Sequence, residues 1–220
     1  MIRAVIFDFD GVILESAEIK TEAFRDLSGD LCPEHAEHIV TYHKENVGIS
    51  RYVKFRYIYE KLLKKPYTEE IEKTLGERFA VFVKEKVFTA PFVPGALEFL
   101  ERFHGKYAFF VASGTPEEEL QMIVRERGLQ KYFLEVAGSP AKKPALIRSI
   151  LERHHYQPDE VVFIGDGDSD RRAALETGIP FIARLTTECS DDLRSHPHTL
   201  DDLTGLGEAL EGLNAGAGSL

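Results

Sequence analysis

The chain has 220 residues, 43% of them apolar and 29% charged, with a net charge of −10. That length allows one large domain or two small ones, and the apolar content is enough for a sizeable core, which excludes wholesale disorder. The acidic balance argues against a nucleic-acid binder held by phosphate contacts, and no apolar run approaches the ~20 residues of a membrane span. The two cysteines, Cys32 and Cys189, make neither a disulfide framework nor a zinc spacing. With an N-terminus that enters a strand without a signal-peptide pattern, this predicts a cytoplasmic protein.

The first predicted element is a buried strand at residues 4–9, an apolar run that leads into Asp8, Asp10 and Gly11. Positions i and i+2 of a strand point to one side, so the two carboxylates are expected to converge where the strand stops. Buried carboxylates repel each other and are costly to desolvate. Their placement there points to cation binding, proton chemistry, or both.

Residues 15–89 hold no convincing strand and read as helices at 17–26, 33–43, 50–64 and 68–86. Thr68 is the expected N-cap of the last, with Glu69 and Glu70 in its first turn, where the helix dipole favours acids. Ile71 stands where a capping box would need Glu or Gln. Residues 43–65 carry seven Lys or Arg against two Glu, and Tyr52, Phe55, Tyr57 and Tyr59 read as core of this helical insert. Pro91, Pro94 and Gly95 mark the return to a different pattern. A helix at 96–103, a strand at 107–112, a helix at 116–127 and a weaker strand at 135–137 follow, then a helix at 144–154, a strand at 161–164, a helix at 170–177 and a strand at 180–183. The alternation predicts an α/β fold, a doubly wound, mostly parallel sheet with crossover helices and an inserted helical cap domain. The expected division is an α/β core of residues 1–14 and 91–213, a helical cap of residues 15–90, and a frayed tail at 214–220.

Four polar clusters fall at the carboxyl ends of the predicted strands, where open α/β sheets bind ligands. They are Asp8-Phe9-Asp10-Gly11, Ser113-Gly114-Thr115, the loop at 138–144 with Lys142 and Lys143, and Gly165-Asp166-Gly167-Asp168-Ser169-Asp170. Asp8, Asp10 and Asp166 supply hard oxygens of the kind Mg²⁺ prefers. Ser113 and backbone N–H groups at a helix start suit phosphate oxygens, and a lysine neutralises charge on a phosphoryl group. This inventory suits phosphoryl transfer. The eight histidines have no metal-like spacing; His154, His155, His196 and His198 are expected at the surface.

These motifs, in order from Asp8 to Asp170, resemble those of the haloacid dehalogenase-like (HAD) superfamily of hydrolases, and their span implies its Rossmann-like core. The insert resembles that family's mobile C1-type cap, as in phosphoglycolate phosphatase and β-phosphoglucomutase-type members. The resemblance implies that Asp8 is a nucleophile forming an aspartyl-phosphate and that Asp10 is the general acid and base. It implies a Mg²⁺ cofactor held by the Asp8 side chain, the Asp10 backbone carbonyl and Asp166, with Asp170 supporting or joining them. Ser113 and Gly114 match the phosphate-binding motif, with Gly11 beside the nucleophile, and Lys143 matches the motif lysine, with Lys142 as the neighbouring alternative. Asp168 departs from the pattern, where small or neutral residues are common. Gly48-Ile49-Ser50-Arg51 resembles the cap loop that dips into the site, so Arg51 and, behind it, Lys54 are candidates for gripping a distal acidic or polar group of the substrate. The implied activity is a Mg²⁺-dependent phosphatase of a small phosphomonoester, a phosphosugar or a phosphorylated small acid. The alternative is a phosphosugar mutase of the β-phosphoglucomutase type, and the remote alternative a non-catalytic metabolite-binding protein. Asp10 disfavours the sister dehalogenases and phosphonatases, which lack an acid there. The expected partner is a small phosphorylated metabolite, without nucleic acid or membrane, and a monomer is the working expectation.

Overall fold

In the computed structural model, which describes residues 1–187 and 189–216, six strands form one parallel sheet. They are β1 (Ala4–Phe7), β2 (Ala108–Pro116), β3 (Phe133–Ser139), β4 (Val161–Gly165), β5 (Phe181–Arg184) and β6 (Thr199–Leu200), in the spatial order β3-β2-β1-β4-β5-β6. The order reverses beside β1, the position where doubly wound sheets open a crevice. Phe7 is level with Val111 of β2 and with Ile164 of β4, so the loops that leave these three strands start at one height.

Both faces of the sheet are covered, which is why the strands read as continuous apolar runs. In β1, Val5 and Phe7 join one buried cluster, and Ala4 and Ile6 join the other. β4 alternates in the same way, with Val162 and Ile164 on the first side and Val161 and Phe163 on the second.

Along the chain, the helical insert follows β1 and precedes the other five strands. It comprises α1 (Ala17–Leu31), a 3₁₀ turn at Pro33–His35, α2 (Ala36–Glu45), α3 (Arg51–Tyr57), a π turn at Ile58–Leu62, and α4 (Glu69–Thr89). Its centre is the trio Phe24, Phe55 and Phe79, with ring centroids 4.9–5.8 Å apart and every ring buried. Each such ring contributes roughly 2–3 kcal/mol by burial. The expected cap at Thr68 is present: its Oγ1 accepts the Ile71 N–H at 3.3 Å. The remaining helices are α5 (Ala96–Phe103), α6 (Glu117–Glu126), α7 (Lys143–Arg153), α8 (Asp168–Thr177), α9 (Asp191–Arg194) and α10 (Leu206–Gly216). The apolar sides of α5, α6 and α10 belong to the first cluster, and those of α7 and α8 to the second.

Three differences from the sequence expectations have physical causes. β1 stops at Phe7 rather than residue 9, because from Phe9 onward the chain turns, with Ile13 and Leu14 N–H groups both donating to the Phe9 carbonyl. The expected helix at 50–64 changes to π geometry at Ile58, where Leu63 N–H reaches back five residues to the Ile58 carbonyl at 2.9 Å. The frayed tail placed at 214–220 is corrected for residues 214–216, which belong to α10. That helix is anchored by buried Leu206 and Leu210 on one face, and Asn214 Oδ1 accepts the Ile2 N–H at 2.6 Å. Residues 217–220 of that expected tail lie outside the described residues. β6, α9 and α10 were not anticipated; the two residues of β6 and the single turn of α9 are too short to show a period. No helix among the described residues is long and apolar enough to cross a membrane.

Candidate active site

β1 and β4 end side by side and deliver Asp8 and Asp166, and the first turn of α8 delivers Asp170. All three are buried, and each offers one oxygen within 4.8 Å of the others. Asp8 is held on both oxygens: Oδ1 accepts the Phe9 N–H at 2.7 Å, and Oδ2 lies 2.8 Å from Lys143 Nζ. Lys143 opens α7 and donates to Asp170 as well, while Asp170 Oδ2 accepts the Gly167 N–H at 3.0 Å. Burial alone would lower the Lys143 pKa, but the two carboxylates raise it, so the ammonium stays charged. The neighbouring Lys142 is exposed, whereas Lys143 is the lysine that the fold places against the two carboxylates.

Asp166 is the unsatisfied member. Neither of its oxygens has a hydrogen-bond partner among the described residues. Burial, and then the charges of Asp8 and Asp170, drive its pKa well above the carboxylate range. Burial also raises Asp170, to about 6. Three buried carboxylates against one lysine leave the cluster short of positive charge. An all-oxygen donor set with two orphaned oxygens fits a hard divalent cation such as Mg²⁺. Gly11 belongs to the same construction: its φ of +76° suits glycine, and a Cβ there would run into the Asp166 carboxylate.

Asp10 does not join that cluster through its side chain. Its carboxylate turns toward the insert, where Oδ1 accepts from Ser16 Oγ at 2.6 Å and Oδ2 from Thr115 Oγ1 at 2.8 Å and from Lys20 Nζ. Lys20 also donates to Thr115 Oγ1 at 2.6 Å. Burial pushes the Asp10 pKa up, but the Lys20 charge and these hydrogen bonds outweigh it and hold the group below its usual range. The two acids of the first motif therefore face one cleft with different partners.

Ser113 and Gly114 line that cleft, but not at a helix start. β2 continues through them to Pro116, paired there with Ser139, and α6 begins only at Glu117. The expectation of phosphate held at a helix N-terminus is corrected: Ser113 presents its side chain from an extended strand end, kept so by Thr115 bonding to Asp10 and Lys20. Asp168 sits at the rim, 3.7 Å from Arg171 Nε.

The insert reaches the site through the 48–51 loop. Gly48 has φ +79°, and a Cβ there would collide with Ser169 Oγ and Lys143 Nζ; one on Gly114 would strike the Gly48 carbonyl. Ser169 Oγ donates to the Val47 carbonyl at 2.7 Å, and Ser50 Oγ meets Ser139 Oγ at 3.3 Å. Arg51 and Lys54 are both buried and both line the cleft. Arg51 is already engaged by Glu119 of α6. Lys54 Nζ contacts His43 Nδ1 at 2.8 Å and the His43 carbonyl at 3.4 Å.

Sequence reasoning did not single out Lys20, Ser16, His43, Glu119 or Arg184. Ser16 and Lys20 were accessible, since an i, i+4 pair opening a helix after Asp10 shares a face. Arg184, at the end of β5, donates to the Gly11 carbonyl at 3.2 Å and forks onto Glu15, which ties down the turn after β1. His43 and Glu119 carry no local signal, because their partners come from other helices.

A family model described as haloacid dehalogenase-like hydrolase matches residues 5–184. The chain belongs to the haloacid dehalogenase-like hydrolases. A phosphorylated carbohydrates phosphatase of Thermotoga maritima is 30% identical over 194 residues, 86% of this chain and 88% of that protein. A phosphoglycolate phosphatase of Aquifex aeolicus is 27% identical over 213 residues, 90% and 94% of the two chains. Among solved structures, a putative β-phosphoglucomutase from Bacteroides vulgatus superposes with a TM-score of 0.78 at 19% identity, covering 97% of this chain and 89% of that one. At that identity the likeness is one of fold. The haloacid dehalogenase-like assignment covers β1 to β5 and every residue of the buried carboxylate cluster.

Proposed function

We propose that this chain hydrolyses a small phosphomonoester with Mg²⁺, through an aspartyl-phosphate on Asp8. It is a phosphatase of the haloacid dehalogenase-like family, as its curated relatives are named. The observation that carries the finer reading is Asp166, a buried carboxylate whose oxygens have no hydrogen-bond partner among the described residues, within 4.8 Å of an oxygen of Asp8 and of Asp170. Asp8, Asp166 and Asp170, with the Asp10 backbone carbonyl, would hold Mg²⁺. When bound, the ion supplies charge neutralisation on the phosphoryl oxygens.

In the first step an Asp8 oxygen attacks phosphorus and the ester P–O bond breaks. The leaving oxygen takes a proton carried by the Asp10–Lys20 pair. In the second step the Asp10 carboxylate takes a proton from water, the water oxygen attacks phosphorus, and the Asp8 O–P bond breaks to release phosphate. Lys143, Ser113 and the Gly114 backbone hold the phosphoryl oxygens. Residues 15–90 act as the cap over a core of residues 1–14 and 91–213, and Gly48 seals the cleft during the first step. Lys54 is the cation left to meet a distal anionic group, which favours a phosphorylated small acid. The mutase alternative is weakened by Arg51, whose fork is occupied by Glu119 rather than open to a returning phosphate. A monomer working in the cytoplasm completes the reading.

The test is phosphate release from a panel of phosphorylated metabolites with and without Mg²⁺, with product analysis on hexose 1-phosphates. Mg²⁺-dependent release that vanishes in Asp8→Asn is expected. Turnover that survives Asp8→Asn would overturn the mechanism, and isomerised sugar phosphate in place of inorganic phosphate would establish the mutase.

A further inference from the structure

Three cations of the insert line the cleft: Lys20, Arg51 and Lys54. Two are already neutralised. Lys20 pairs with Asp10. Arg51 presents both terminal nitrogens to Glu119, Nη1 to Oε1 at 3.1 Å and Nη2 to Oε2 at 2.6 Å. The pair is little exposed, 8% for Arg51 and 16% for Glu119. A fork of this kind holds both partners firmly, because opening it strands a poorly solvated charge. The guanidinium is further fixed by the Phe79 and Tyr52 rings, whose centroids lie 5.1 Å and 5.5 Å from Cζ.

Lys54 is in a different condition. Its polar contacts are the ring and the carbonyl of His43, and it pairs with no carboxylate among the described residues. His43 brings no charge of its own: burial and then the Lys54 charge take its pKa down to about 2. Burial, and then the charges of Lys20 and Lys143, hold the Lys54 pKa well below its usual value, so the far end of the cleft offers at most the single charge of Lys54, in a form that an anion beside it favours.

On the phosphatase reading above, we propose that Glu119 is a specificity-determining residue: by occupying the Arg51 fork it leaves Lys54 alone to meet the substrate, and so selects phosphomonoesters whose distal end carries one negative charge, a carboxylate, over those carrying a second phosphate. A distal carboxylate matches one charge with one. A second phosphate, close to two negative charges at neutral pH, exceeds what Lys54 offers, and an unmatched charge in a desolvated cleft opposes binding. Glu119→Gln frees the Arg51 fork and makes the distal end suitable for a phosphate.

The experiment uses three probes of equal chain length: propyl phosphate, 3-phosphooxypropanoate and propane-1,3-diyl bisphosphate. Calorimetric affinity and kcat/KM are measured with Mg²⁺ on the full chain, as wild type, Glu119→Gln, Glu119→Asp and Arg51→Ala/Glu119→Ala. The wild type is expected to prefer the phosphocarboxylate over the bisphosphate by about tenfold, and Glu119→Gln to move that ratio about tenfold toward the bisphosphate. Glu119→Asp and the double variant, which removes the pair without freeing a charge, keep the wild-type preference. An unchanged ratio in Glu119→Gln, equal losses on all three probes, or a shift in the double variant overturns the assignment and leaves the pair as a brace between insert and sheet. If Glu119→Gln does not fold, the other two variants still decide: loss of the preference in either overturns it. Failure of the phosphatase reading looks different, since no probe would then release phosphate from the wild type, while the calorimetric ratio would still report on Glu119.

Discussion

The two sides of the cleft are unbalanced in opposite directions. On the sheet side, Asp8 and Asp170 share Lys143, and Asp166 has no hydrogen-bond partner among the described residues. On the insert side, Lys54 is buried with His43 as its polar partner, and burial with the Lys20 and Lys143 charges holds its pKa well below the usual value. Each imbalance is costly by itself, since a buried charge without a counter-charge is destabilising by several kcal/mol per ion. Together they are the features on which the proposed function rests: the strand ends suit a cation, and the insert suits an anion. Local instability that a bound partner relieves is a common property of sites that fold around their ligands.

The contrast can be broken from the sheet side first. Asp8→Asn should reduce phosphate release by at least about a thousandfold while leaving far-UV circular dichroism unchanged; activity that persists would mean the strand-end cluster is not the reacting one. From the insert side, Lys54→Met should raise KM for a phosphocarboxylate by roughly 10–100-fold with little change in kcat. The same variant should raise the thermal midpoint of the ligand-free protein, because it removes a buried amine that pairs with no carboxylate among the described residues. A fall in the midpoint would show that Lys54 is structurally satisfied. Asp166→Asn gives the matching result for the other cluster. It should raise the midpoint of the metal-free protein by about 2–4 °C, the equivalent of ~1 kcal/mol at this size, and abolish the rise produced by Mg²⁺ in the wild type, read by differential scanning calorimetry. The smallest effect lies outside both clusters: Thr68→Ala should cost about 1 kcal/mol of stability through the lost cap and leave kcat/KM untouched.

What was readable in the chain divides along the same line. The strand-end residues were legible because each is announced locally. An apolar run stops, a carboxylate or serine follows, and a glycine permits the turn, so Asp8, Ser113 and Asp166 could be placed at one sheet edge from pattern alone. The insert was legible only as helices with a basic excess. Whether Arg51 faces substrate or Glu119 depends on how α3 lies against α6, since the two residues are 68 positions apart in the chain. Lys20 falls between these cases: its helical face follows from Ser16, but its bond to Asp10 depends on the path of the turn between β1 and α1, to which Arg184 bonds from the end of β5.

By itself, then, the sequence determined five of the six strands, the helical run after β1, the family and the acids at the strand ends, because hydrophobic period and turn chemistry act over a few neighbouring residues. Tertiary structure alone decided which charges cancel. It gave Lys143 to Asp8 and Asp170, Lys20 to Asp10 and Arg51 to Glu119, and it left Asp166 and Lys54 without counter-charges. Electrostatic balance is a sum over groups that are close in space and distant along the chain, so no local pattern encodes it.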